Sequence, residues 1–204
     1  MSLESMTVSS LISSLGKKTP TPGGGAVSSI VTALSAALGI MVVRYSTGKK
    51  TLAKHDELHR EALNTLDELT SRALSLADED ARAYDTLNEL MKANPDDDEP
   101  NEEWTQAVEA AIDAPVQVMS VCLELMHLLD RLAGKTNRML SSDLAIAAIL
   151  SEAGAQAAAW NVRTNLLLLK DEGRVNDIRR KTDRLLNRAR IFREQIEASC
   201  STTG

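Results

Sequence analysis

The most informative side chain in this sequence is an aspartate. Leu58, Ala62, Leu66, Leu69, Ala73, Leu76, Ala83, Leu87 and Leu90 recur at steps of three and four, and Asp80 fills the one gap in that helical stripe. A carboxylate on a stripe that ought to be buried is costly unless it is paired or hydrogen-bonded. It then either meets a cation or holds its proton to higher pH, and both suit acid–base or cation-stabilising chemistry. The alternative is a stripe that rotates enough to leave Asp80 at its rim. A second carboxylate, Asp143, stands in the first turn of a helix opened by Ser141-Ser142-Asp143. The helix dipole stabilises it there with or without chemistry. Asn161 and Asn165 lie one turn apart among small residues, Ala153 to Ala159 with Gly154. Buried amides need partners, and a small-residue helix lets a neighbouring helix or a flat ligand come close.

Thr19-Pro20-Thr21-Pro22-Gly23-Gly24-Gly25-Ala26 is a stiff lead-in followed by bare backbone. It opens an uncharged apolar run to Val43 and so aims a helix N-terminus, attractive to a carboxylate, phosphate or oxyanion, or it is simply a loop and cap before a core helix. No Gly-Lys-Ser/Thr closes it and no strand precedes it, which excludes a Walker A loop and a Rossmann turn. His55 and His59 are spaced i, i+4 without the zincin order and read as exposed helix surface. His127 is isolated. The last helix carries Arg174, Arg179, Arg180, Lys181, Arg184, Arg188, Arg190 and Arg193 with acids interleaved. That is a solvated or subunit-facing surface by default, and a dock for a polyanionic tail as the sharper alternative.

The elements that must position these groups are helices. Of 204 residues 43% are hydrophobic and only 2% aromatic, so the core is built of Leu, Ala, Val, Ile and Met. The expected helices run over 3–15, 25–45, 51–92, 101–133, 141–170 and 175–199. The second is apolar nearly all round and is expected to be central. Leu3, Met6, Val8, Leu11, Ile12 and Leu15 form the apolar set of the first. Gly16, Gly48, Gly134 and Gly173 are stops, and Pro115 is expected to kink or break the fourth helix. Asn94 to Pro100 reads as an acidic, solvated turn, lacking the spacing of a calcium loop. The tail to Gly204 is expected to fray. One all-α domain over 1–204 is expected. A net charge of −6 argues against wholesale nucleic-acid binding. Cys122 and Cys200 are isolated thiols without metal spacing, suited to a reducing cytoplasm. The start of the chain lacks a signal-peptide layout, and no apolar run is long and clean enough to read as a membrane span.

Taken in order, several blocks resemble one family. Pro20-Thr21-Pro22-Gly23-Gly24-Gly25-Ala26, Gly48-Lys49-Lys50, Asp78-Glu79-Asp80-Ala81-Arg82-Ala83-Tyr84, Ala114-Pro115, Ser142-Asp143-Leu144-Ala145-Ile146-Ala147-Ala148 and Asn161-Val162-Arg163-Thr164-Asn165-Leu166 are similar to blocks of the cyclodeaminase/cyclohydrolase family of folate enzymes. Two places depart from the family pattern: Arg44-Tyr45-Ser46-Thr47 before Gly-Lys-Lys, and Gly134-Lys135-Thr136-Asn137-Arg138 before Ser-Asp. The resemblance implies six helices around a buried central one, a homodimer with a helical hairpin mediating assembly, and a folate site near the subunit boundary. It implies water opening of 5,10-methenyltetrahydrofolate to 10-formyltetrahydrofolate, or closure of 5-formiminotetrahydrofolate with loss of ammonia. Family analogy tilts toward the cyclohydrolase, since no fused transferase is present in the sequence. Asp80 and Asp143 are the implied catalytic groups. Pro22, Gly23, Gly24, Gly25, Lys49, Lys50, Ser142, Asn161 and Asn165 are the implied substrate contacts, with the lysines on the folate glutamate. No metal or redox cofactor is called for. The competing class is a non-catalytic helical folate binder or interaction scaffold.

Overall fold

The computed structural model describes residues 3–93 and 101–201, and the expected acidic turn at 94–100 and the tail at 202–204 lie outside the described residues. The described chain is all-α. Six helices follow in order: α1 (Val8–Leu15), α2 (Gly24–Arg44), α3 (Asp56–Ala93), α4 (Glu102–Leu132), α5 (Ser141–Asn165) and α6 (Glu172–Ser201). Single stretches of 3-10 helix stand at Leu3–Ser5, Lys50–His55, Arg138–Leu140 and Leu166–Leu168. The expected first helix is thus split in two. Thr7 restarts it as an N-cap, its hydroxyl accepting from Ser10 N–H at 3.1 Å.

Helix α2 is flanked by α3 and α5, and α4 packs behind against α3, α5 and α6. Gly39 of α2 lies against Leu66 of α3 and Leu129 of α4, so three helices meet at one glycine. The α2–α5 seam is built of small residues. A Cβ on Gly154 would lie 2.5 Å from Thr32 Oγ1. Ser35 Oγ donates to Ala147 C=O at 2.6 Å, and Thr32 Oγ1 bonds back to Ser28 C=O at 2.8 Å. These bonds pair the buried hydroxyls of Thr32 and Ser35, and Ser28 Oγ donates to Gly25 C=O at 2.7 Å, while Ser29 Oγ of the same helix is buried without a partner among the described residues. The pairs run Gly24–Asn161, Thr32–Gly154 and Ser35–Ala147, so the two helices are antiparallel. Both α2 and α4 are long and apolar enough to cross a membrane, yet most of each apolar stretch is buried inside the protein. One stripe of α2 is not covered by this chain: Leu34 is 55% exposed, and Tyr45, the C-cap just past its end, 62%.

Gly134 directly follows the C-cap of α4 and Gly48 stands in the turn three residues beyond the C-cap of α2, with φ of 71° and 75°, the left-handed region that glycine enters freely. Gly173 is not a break. Asp171 caps α6, its Oδ1 accepting from Arg174 N–H at 3.0 Å, and places Gly173 in the first turn.

Nor does Pro115 break α4, which is helical from Glu102 to Leu132. A proline has no N–H, so the carbonyl four residues earlier, Ala111, loses its helical donor. Asn165 of α5 supplies one: its Nδ2 donates to Ala111 C=O at 2.6 Å. The amide expected to meet substrate is spent on repairing a neighbouring helix.

This pairing generates a prediction. Asn165→Ala leaves a carbonyl unpaired in the interior and should lower stability by about 1–3 kcal/mol. Adding Pro115→Ala restores an N–H to α4 and should recover part of that loss. Urea unfolding of the four variants reads the coupling, and strictly additive losses would mean that the two residues do not act on the same carbonyl.

Candidate active site

At the N-terminal end of α2 the glycines make room for two polar side chains. A Cβ on Gly25 would lie 2.0 Å from both carboxylate oxygens of Asp80, so Asp80 occupies the space that any other residue would fill. A Cβ on Gly24 would lie 3.4 Å from Asn161 Oδ1. Gly23 precedes the helix in an extended conformation and provides no side-chain cap for the first turn. Pro22 and Gly23 are half-buried beside it, and Thr21 Oγ1 bonds Asp85 Oδ1 at 3.3 Å on the same rim. Three stretches far apart in sequence thereby converge: the glycine loop, the middle of α3 and the C-terminal end of α5.

Asp80 is half-buried and makes no hydrogen bond or ion pair among the described residues. Burial holds its carboxyl above the usual aspartate range. The positive end of α2 beside it works the other way and favours the anion. A carboxylate so balanced is suited to exchanging a proton and to facing a cation. The sequence left open whether Asp80 met a cation, shifted its pKa or sat at the rim; the geometry gives a partly buried, unpaired carboxylate with a raised pKa. Asn161, half-buried, reaches back to Ala157 C=O at 3.5 Å.

The other expected site residues stand at the opposite end. Lys49 and Lys50 follow α2 and are exposed; Ser142, exposed, and Asp143, half-buried, open α5. Asp143 and Asn161 are 18 residues apart on one helix, about 27 Å at the α-helical rise. Within one chain, therefore, Asp80 and Asp143 are not brought together. What occupies that far end is a joint that sequence reasoning missed. His59 is buried rather than exposed, with Nε2 against Lys135 C=O at 2.8 Å, and Ser46 Oγ accepts from Asn137 N–H at 2.8 Å. The apolar step from Leu58 to Ala62 hides His59 because its turn is capped by the loop after α4. His127 is exposed and its Nε2 accepts from Arg188 at 2.7 Å, beside the Phe192 ring. Cys122 is no nucleophile: burial pushes its thiol up to about 11, and its sulfur sits 3.1 Å from Thr32 Oγ1. Among the described residues no group of three His, Cys, Asp or Glu could hold a metal ion.

A family model described as formiminotransferase-cyclodeaminase matches residues 7–184, nearly the whole chain. The chain belongs to the formiminotransferase-cyclodeaminase family. It is 27% identical over 194 residues to a methenyltetrahydrofolate cyclohydrolase of Methylorubrum extorquens, covering 93% of both chains. It is 29% identical over 183 residues to the formimidoyltransferase-cyclodeaminase of Gallus gallus, matching 88% of this chain and 34% of that one. The chain thus spans about a third of the length of that bifunctional relative. The crystal structure of formiminotetrahydrofolate cyclodeaminase from Thermotoga maritima superposes with a TM-score of 0.90 at 26% identity, over 98% of each chain. Family membership accounts for the shared helical architecture and makes the Gly25–Asp80 contact the first place to test for chemistry.

The raised Asp80 pKa has a consequence for stability. The folded chain holds this proton to higher pH than the unfolded chain does. Stability therefore falls as pH rises from the ordinary aspartate range through the raised value, and the full cost is present above it. Asp80→Asn should raise the melting temperature at pH 7 relative to the parent. The gain should fade as pH falls below the ordinary aspartate range. An Asp80→Asn protein no more stable than the parent at any pH would place the carboxylate in ordinary solvent.

Proposed function

We propose that this chain acts on the one-carbon bridge of a tetrahydrofolate, with Asp80 as the group that handles the proton. The observation that carries this is the carboxylate lodged against bare backbone at Gly25, unpaired and with its pKa raised, in a chain of this family. In the cyclohydrolase direction, water adds to the cationic methenyl carbon and loses a proton. The C–N5 bond then breaks as N5 gains one, leaving the formyl group on N10. In the cyclodeaminase direction, N10 adds to the formimino carbon and the exocyclic nitrogen leaves as ammonia. Both pass through a tetrahedral carbon between nitrogens, and both need one group that takes and returns a proton. The ionised form of Asp80 also stabilises the methenyl cation electrostatically. Gly23, Gly24 and Gly25 let the pterin approach the backbone beside Pro22, and Asn161 offers its amide to the pterin edge. No metal or redox cofactor enters this scheme.

We further propose a homodimer, formed across the uncovered stripe of α2. Val27, Ile30, Val31, Leu34, Leu38 and Met41 lie on it at helical spacing, with no charge between them. Ile146 and Ile149 of α5, both partly exposed, extend the apolar surface. Helices paired antiparallel about a two-fold axis would set the Asp80 end of one protomer beside its partner's far end. Lys49, Lys50, Ser142 and Asp143 would then complete a site that one chain leaves in halves. In that arrangement the lysines meet the folate glutamate, and Asp143 is the second carboxylate.

Loss of the methenyl chromophore and release of ammonia from the formimino substrate, measured side by side, decide which reaction is catalysed. Asp80→Asn should lower kcat by about 10²–10⁴-fold. Gly25→Ala should do much the same, because a methyl group displaces the carboxylate. Full activity in both Asp80→Asn and Asp143→Asn would refute the catalytic assignment. Folate binding without turnover by the parent would make the chain a carrier, and no binding at all would make it a scaffold. For the lysines, Lys49→Met with Lys50→Met should raise KM about ten- to a hundredfold at unchanged kcat. The rise should shrink with added salt.

A further inference from the structure

We propose that Ser46 and His59 are positioning residues: together they clamp the loop after α4, so that Lys49 and Lys50 keep a set place relative to Asp143. The inference rests on the reading above, in which these three residues belong to the half of the site that this end of the chain supplies.

The loop over 134–140 turns at Gly134 and delivers the chain to α5. Lys135 N–H is tied back to Leu132 C=O at 2.9 Å, and Leu140 N–H to Asn137 C=O at 2.8 Å. Between those two bonds the loop turns one acceptor and one donor toward α2 and α3. Lys135 C=O meets His59 Nε2 at 2.8 Å, and Asn137 N–H donates to Ser46 Oγ at 2.8 Å. Ser46 and His59 are both fully buried. They bracket the segment that carries the lysines, Ser46 just before Lys49 and His59 beyond Lys50, and Asn137 stands shortly before Asp143. Two bonds therefore fasten both ends of the lysine segment to the lead-in of α5.

Packing alone does not call for these groups. A carbonyl only accepts, so His59 Nε2 carries the proton and Nδ1 is left as a bare lone pair. Nδ1 is buried with no partner among the described residues. A leucine would fill the space without an orphaned nitrogen, so what the imidazole adds is its bond to Lys135. Ser46 Oγ is used twice: its hydrogen goes to Val42 C=O at 2.6 Å, and a lone pair takes the Asn137 N–H. The loop is thereby referenced to the last turn of α2, the helix whose other end meets Asp80. The two stretches that depart from the family blocks, 44–47 and 134–138, are thus bonded to each other, and the joint lies where this chain differs from the shared pattern.

Folate turnover and amide hydrogen exchange in the parent, His59→Leu, His59→Gln and Ser46→Ala test the clamp. His59→Leu and Ser46→Ala should each raise KM about three- to tenfold and lower kcat/KM by about tenfold or more, as misplaced groups do. The rise in KM should vanish in a Lys49→Met/Lys50→Met background, because absent lysines cannot be misplaced. His59→Gln keeps an N–H for Lys135 C=O and should retain most of kcat/KM. A role in packing alone ranks the pair the other way, with Leu tolerated and Gln not. Amides over 47–52 and 136–142 should exchange faster in His59→Leu and Ser46→Ala, with α6 unchanged; Ser46→Ala carries the test if His59→Leu does not fold. Exchange needs no substrate, so it judges the clamp even in a chain that turns over no folate and separates its failure from failure of the folate reading. Unchanged exchange in both stretches overturns the proposal. So does faster exchange with KM and kcat/KM intact in an active parent, or an equal rise in KM without the lysines.

Discussion

The contact on which the arrangement depends is the carboxylate of Asp80 against the Cα of Gly25. Only a residue without Cβ leaves that volume free, and there α3 brings a carboxylate against the first turn of α2. Everything near it serves this approach. The prolines lead the chain in, Gly24 opens the adjoining position to Asn161, and α3 and α5 lie antiparallel to α2 so that their middle and end reach the same place. The partial burial that raises the carboxyl pKa comes from this same crowding, so the reactivity of the group and its steric confinement have one cause.

A second constraint governs the other wall. Pro115 removes a donor from the interior of α4, and the amide of Asn165 replaces it from α5. The helix stays continuous through that point, and the C-terminal end of α5 is fixed to α4 one turn beyond Asn161. A residue type that suggests ligand contact here explains helix geometry.

Much of this was legible in the sequence. The period of three to four read off Leu58 to Leu90 gave α3 and its odd aspartate, because burial and helical periodicity act on the same residues. The left-handed stops at Gly48 and Gly134 were legible for the same local reason. The family blocks pointed to Gly23, Gly24 and Gly25. What could not be read was pairing across distance. The side chain that repairs Pro115 sits 50 residues away, and His59 is hidden by a loop residue, Lys135, that the sequence places 76 residues later. Gly173 misled because a glycine stops a helix only where nothing caps the next one, and Asp171 does. The division of the expected site between two ends of α2 was likewise invisible, since order along a chain says nothing about which end of an antiparallel pair a residue reaches.

The seam between α2 and α5 carries one further implication. It is held in register by a notch, Gly154 receiving Thr32, and by the Ser35 hydroxyl bonded across to Ala147 C=O. A slide of one helix along the other would drive Thr32 into a side chain and strip the Ser35–Ala147 bond, so intermediate offsets are disfavoured. The glycine site at the end of the seam therefore does not loosen by degrees. As the protein is warmed it keeps its shape until the two helices part, and its working life ends with theirs.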